Sequence, residues 1–181
     1  VTNTMTWSDS GVVSGSGRLT IAPAATLLIN SFSFAVTLGR TLENAGTVTW
    51  AGTSQFYLND AVITNRAGGL FNVQNAQPFY NGGGTPRFDN AGTFRKSANS
   101  GASTMSIPFN NYATVEVQTG TLYCNVNFLN DGAVTLAAGT ASFSQPFFRT
   151  PVGMLNAEVF VDYAACWADE ERLEKQGCEI T

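Results

Sequence analysis

The sequence predicts an all-β chain: a single right-handed parallel β-helix with a short C-terminal capping helix. Three observations lead there. A degenerate repeat of about twenty residues runs through the chain, each copy carries a short stretch of alternating apolar and polar residues, and charge is scarce.

The repeat is marked by asparagine. LENAGTVTW from Leu42, ITNRAGGLFNV from Ile63, FDNAGTFRK from Phe88, FNNYATVEV from Phe109 and FLNDGAVTL from Phe128 each place a large apolar residue two positions before an Asn. Taken as register marks, Asn44, Asn65, Asn90, Asn111 and Asn130 are spaced by 21, 25, 21 and 19 residues. Asparagine is a poor strand residue and a good turn residue, so each mark reads as a corner. Four corners are followed at the fourth place by an apolar residue, Val48, Phe94, Val115 or Val134; the sixth place holds Trp50, Val117 and Leu136, while Lys96 breaks the pattern. In the second copy the extra glycine at Gly68-Gly69 shifts the strand, so that Phe71 and Val73 should face inward.

One such coil cannot bury its own apolar side, but stacked copies can, with successive strands in register ~4.8 Å apart. The expected core stack is Phe88, Phe109 and Phe128 on one wall and Val48, Val115 and Val134 on another. The asparagines then stack as well, and a ladder of amides satisfies turn groups that would otherwise be unpaired. Unrelated Asn-Gly hairpins in an antiparallel sandwich would account for the turns, but not for the apolar residue before each Asn.

The first forty residues read as earlier coils with weaker marks. GSGRLTIAPAATLLI offers Leu19 and Ile21, a small-residue corner at Ala22 to Ala25, then Leu27 and Ile29. SFSFAVTLGRTLENAG continues with Phe32, Phe34, Val36 and Leu38 on one expected face. The solenoid is thus expected over residues 1–161 as about eight coils.

Residues 162–181 differ. Up to Val161 acidic and basic residues balance at seven each; beyond it six acids meet two bases, so the formal charge of -4 lies in this tail. DYAACWADEERLEKQGCEIT reads as a helix from Ala164 to Gln176, with Gly177 as its C-terminal cap and Glu171 facing Lys175. Covering the open end of the stack is the simplest role for it; docking is the other. A full helix would hold Cys166 and Cys178 roughly 18 Å apart, too far for a disulfide. Cys124 bonded to one of them, or three free thiols, both remain open.

Composition agrees with a solenoid. Charged residues are 12% of the chain against a usual ~25%, hydrophobic residues reach 44% and are spread evenly, and Gly, Ser, Thr and Asn abound. No apolar run approaches the ~20 residues of a membrane span. The chain opens on Val1 rather than Met, as expected of a processed or partial chain.

FDNAGTFRK, IPFNNYATVEVQTGTLYC and GSGRLTI resemble repeats of very large secreted bacterial surface proteins, similar in architecture to autotransporter passenger domains and filamentous-haemagglutinin-like adhesins. The resemblance covers roughly residues 8–145. It implies a secreted or cell-surface parallel β-solenoid and carries over no functional residue, because the repeat positions are structural.

Catalysis finds little support. There is no His in the chain, which removes His-dependent triads and His-ligated metals. Glu43, Asp60, Asp89, Glu116 and Asp131 are scattered; Glu43 and Asp89 share a register position two coils apart, roughly 10 Å, a spacing that would suit an inverting carboxylate pair. Gly82 to Gly84 lacks the Lys-Ser or Lys-Thr of a phosphate loop. No catalytic, cofactor or metal residues are expected, and the single adjacent basic pair, Arg95-Lys96, offers nucleic acid no stripe. Ice binding would need a regular Thr-x-Thr ladder, of which Thr47 and Thr49 supply one rung.

The expected role is therefore structural: a scaffold segment or subunit of an extracellular surface or matrix protein. A glycan-binding adhesin module on the same fold is the alternative, since Trp7, Trp50, Phe56, Tyr57, Phe79, Tyr80 and Tyr112, most of them expected in the core, include aromatics that could lie outside it and stack on sugars. A polysaccharide-active enzyme comes third. The partners that fit are further copies of the chain and cell-surface glycans. For self-association the candidate strand is VTNTMTW, with Val1, Asn3, Met5 and Trp7 on one face and neither charge nor proline to prevent pairing. NAEVFVDY, Asn156 to Tyr163, reads as a second strand-like run outside the repeat register, and head-to-tail pairing of the two ends would build a filament.

Overall fold

The computed structural model describes residues 1–9, 11–32, 35–148, 153–154 and 159–161. Among them every strand pairing is parallel and no helix occurs. The expected helix over Ala164 to Gln176, Cys166, Cys178 and Phe34 lie outside the described residues.

The chain winds as a β-solenoid with two parallel sheets. The first sheet stacks eight strands in chain order: Thr4–Trp7, Thr26–Ile29, Thr47–Trp50, Leu70–Val73, Thr93–Lys96, Thr114–Val117, Ala133–Leu136 and Gly153–Met154. Eight rungs enclose seven turns from the first to the last. The second sheet has 11 strands and is wider, because each turn crosses it with two strand segments joined by a bend. In three turns the bend splits the strand, giving Phe56–Asn59 with Val62–Asn65, Phe79–Gly83 with Arg87–Asn90, and Ala102–Met105 with Phe109–Asn111. Elsewhere Val12–Ile21, Val36–Asn44, Gly120–Asn130 and Gly139–Phe148 run through it. We refer to the two halves as the leading half, reached first along the chain, and the trailing half.

Period two fills the interior from all three walls. On the first sheet one inward column is Leu27, Val48, Phe71, Phe94, Val115 and Val134, all buried. On the trailing half Leu42, Ile63, Phe88, Phe109 and Phe128 lie in successive register. Phe109 meets Phe88, Phe94 and Phe128 at centroid distances of 5.3, 5.0 and 5.4 Å. Those separations are in the range where aromatic pairs add about 0.5–1.5 kcal/mol beyond burial. The leading half contributes Val36, Phe56, Phe79, Met105, Cys124 and Phe143. Cys124 is a buried free thiol, and burial pushes its pKa well up from the usual thiol range.

Three details differ from the sequence reading, while the places of four of the candidate aromatics agree with it. Phe32 is 64% exposed rather than inward, because it sits in the bend after Ile29, where alternation no longer holds. Trp7, Trp50, Phe56 and Phe79 are core residues and leave no ring free for sugars. Val159–Val161 does not stand outside the repeat register: it pairs with Gly139–Phe148, Ala141 opposite Val159, as the next rung. Lys96, which interrupts the apolar pattern, nevertheless keeps its place in the inward column between Val73 and Val117. It is fully buried, and its ammonium donates to the Asn99 carbonyl oxygen at the adjoining corner. Desolvation lowers its pKa below the ordinary lysine value.

Candidate functional site

The corner between the trailing half and the first sheet holds the five asparagines, each buried and each one rung above the last. Asn44 Nδ2 donates to Asn65 Oδ1 at 2.8 Å, Asn65 to Asn90 at 2.8 Å, Asn90 to Asn111 at 2.7 Å and Asn111 to Asn130 at 2.6 Å. The second amide hydrogen has its own acceptor. Asn44, Asn65, Asn90 and Asn111 also donate to the carbonyls of Leu70, Thr93, Thr114 and Ala133, the first residues of first-sheet strands one turn on. The Gly two residues after several of these marks follows from crowding. A Cβ at Gly92 would lie 2.4 Å from the carbonyl oxygens of Arg66 and Gly69 in the coil below, and one at Gly46 would lie 2.3 Å from that of Ala22.

A second corner, after the first sheet, is also polar inside, and the sequence reading missed it. Ser54 Oγ donates to Ser31 Oγ at 2.9 Å, Asn75 Nδ2 to the carbonyls of Trp50 and Gly52, Ser97 Oγ to Asn72 Oδ1 and Ser103 Oγ to the Asn75 carbonyl. Serine and asparagine serve in turn here, so no single letter recurs.

Outside, the three walls differ in chemistry. The trailing half carries charge: Glu43 bridges Arg18 below and Arg66 above, and Asp89 binds Arg87 and Asn110. Glu43 and Asp89 do share a column, with Thr64 between. Both oxygens of each already have a hydrogen-bonding partner. The first sheet presents threonine, with Thr4, Thr26, Thr47, Thr93 and Thr114 in one outward column interrupted by Leu70. The neighbouring column mixes Thr49, Asn72, Arg95 and Glu116, so a two-column Thr lattice does not form.

The leading half is aromatic and uncharged on its outer columns. Val12, Thr37, Tyr57 and Tyr80 follow one another in register. The Tyr57 and Tyr80 rings lie 5.2 Å apart, tilted by 39°. Tyr123 stands next to Thr104 on the same wall and hydrogen-bonds Ser144 at 3.0 Å. Tyr112, 48% exposed, sits apart at the Asn corner.

The N-terminal end has one open and one blocked edge. Thr4–Trp7 is paired on one side with Thr26–Ile29 and is the end strand of its sheet, with no partner strand on the other side among the described residues. Carbonyls of Asn3 and Trp7 accept from Thr26 and Asn30. Because strand residues alternate in the side to which they present N–H and C=O, Thr4 and Thr6 direct theirs to the open edge. Trp7 is only 4% exposed and meets Phe56 edge-on at 5.8 Å, covering the interior of the stack. In the second sheet the end strand bulges, three residues, Gly15 to Gly17, facing Arg40 alone. Gly15 and Gly17 have φ of 100° and 94°, and the Arg40 guanidinium donates to the Ser16 carbonyl. A bulge of this kind discourages edge pairing.

No protein-family model, no curated protein and no solved structure matches the chain.

Proposed function

We propose that the chain is a non-catalytic scaffold segment of a secreted or cell-surface protein, extended head to tail by addition of a strand to the open edge of Thr4–Trp7. The observation that carries this reading is the edge itself: a parallel rung, uncharged and free of proline, whose Thr4 and Thr6 backbone groups have no partner strand among the described residues. Parallel addition there repeats the contact that every inner rung already makes, and a contact that does not close on itself propagates. An extracellular setting is supported by the low charge and by the likeness to surface-protein repeats. A structural rather than hydrolytic role is supported by the ion pairs that occupy Glu43 and Asp89.

The test is a Thr4→Pro/Thr6→Pro double variant, which removes only the outward N–H groups, as an edge strand tolerates. Wild-type protein should form filaments in negative stain at high concentration, and the variant should remain monomeric with an unchanged melting curve. Wild-type protein that stays monomeric, or filaments that survive both prolines, would refute head-to-tail addition. Labelling of intact producing cells with an antibody against the chain checks the surface location.

A further inference from the structure

The outer wall of the leading half of the second sheet has no part in the scaffold reading. We infer that this wall binds an uncharged polysaccharide, along the strip between Tyr80 and Tyr123.

Tyr80 has Tyr57 packed against one side of its ring, so its other side turns toward the next rung. That rung, Ala102–Met105 and the residue after it, places Thr104 and Ser106 outward; Phe79 is opposite Met105, and Ser106 donates its N–H to the Phe79 carbonyl. One rung further, Tyr123 stands opposite Thr104. The two tyrosines are thus two rungs apart and displaced by two residues along the strand, a diagonal of about 12 Å on ~4.8 Å rungs and ~3.3 Å per residue. Between them lies a floor of two small hydroxyl side chains. The result is an aromatic wall at each end and hydrogen-bonding groups below.

Each feature selects the ligand. Pyranose rings present C–H faces that pack on aromatic rings, and ring hydroxyls that bond to Thr and Ser. The absence of charged residues from these columns, on a chain whose trailing half carries Arg18, Glu43, Arg66, Arg87 and Asp89, favours a neutral sugar over a uronate or sulfated one. A protein partner would be expected to use a larger apolar core than two half-buried tyrosines supply. The Tyr123 hydroxyl is held by Ser144, which fixes one wall in place before any ligand arrives.

Affinity electrophoresis in native gels containing hydroxyethyl cellulose, galactomannan or dextran, with polygalacturonate in parallel, tests the inference. At least one neutral polymer should retard the wild-type chain. Tyr80→Ala and Tyr123→Ala should each weaken that retardation at least about tenfold, Tyr80→Phe should retain it within about threefold, and Tyr112→Ala should leave it unchanged. Thermal melting of the alanine variants themselves, expected to stay cooperative because both rings lie on the outer wall, separates lost binding from misfolding. Three outcomes overturn the proposal: no retardation by any neutral polymer, retardation by polygalacturonate alone, or retardation unchanged in a Tyr80→Ala/Tyr123→Ala variant. None of these results bears on filament growth at Thr4 and Thr6.

Discussion

Asn90→Ala tests the amide ladder where it is most fully connected. Asn90 accepts from Asn65 at 2.8 Å and donates to Asn111 at 2.7 Å and to the Thr114 carbonyl at 2.8 Å. The alanine removes three hydrogen bonds, two of them buried and the third partly so. Asn65 Nδ2 keeps the Thr93 and Gly69 carbonyls, but the Thr114 carbonyl loses its side-chain donor and Asn111 Oδ1 retains only a long 3.4 Å contact with the Ala113 N–H. At about 1 kcal/mol net for each bond, with up to 1–3 kcal/mol for a buried group left unpaired, the loss should be roughly 3–4 kcal/mol. For a chain of this size that lowers Tm by about 6–16 °C. Thermal and urea unfolding of Asn90→Ala, Asn111→Ala and the double variant would measure both the loss and the coupling between adjacent amides. Asn99→Ala serves as the control, since Asn99 is exposed, its side chain accepts only from the Gly101 N–H, and its backbone carbonyl, which accepts from Lys96, is kept in the variant. A loss below about 1 kcal/mol for Asn90→Ala, or strict additivity of the two, would refute the argument that the ladder acts as a connected unit.

Three further expectations concern the core and the surface charge. Phe109→Ala should cost about 3–5 kcal/mol, because Phe88, Phe94 and Phe128 all lose a ring neighbour; chemical denaturation checks it, and a loss under 1 kcal/mol would contradict the packing. Lys96→Met should stabilise the protein at neutral pH by about 1–4 kcal/mol, as replacement of a buried charge by a hydrophobic side chain often does. Since the folded-state pKa of Lys96 is lowered, the unfolded chain binds the extra proton between that value and 10.5. Wild-type stability should therefore rise with pH through that window, more steeply than that of Lys96→Met, and parallel pH profiles would exclude the effect. Glu43→Gln should change stability by less than about 1 kcal/mol despite contacting two arginines, because both arginines are largely solvent-exposed.

What could be read from the sequence was set by chemistry that repeats in one letter. On a strand, a corner residue and the residue two before it face the same side, so Phe88 and Asn90, or Phe109 and Asn111, report one inward-facing wall together. The second corner was illegible because Ser31, Ser54, Asn75 and Ser97 do comparable work with different side chains. Phe32 misled because alternation was extended through a bend. Lys96 was read as an interruption because its charge suggests the surface, whereas its long stem lies along the interior and only the ammonium reaches the Asn99 carbonyl. The sorting of tyrosine and charge onto different walls could be found only after register was known, since Tyr80 and Tyr123 are 43 residues apart.

A winding in which each rung bonds only the one below and the one above has a mechanical consequence. Tension applied across the ends would not shear the sheets as blocks; it would peel the outermost coil first, because that coil has neighbours on one side alone. Each release frees one turn, such as the 21 residues from Asn90 to Asn111, and extends the chain by about 70 Å at ~3.3–3.6 Å per residue. A pulled molecule would thus lengthen in steps of one coil, with the remaining stack intact behind each step.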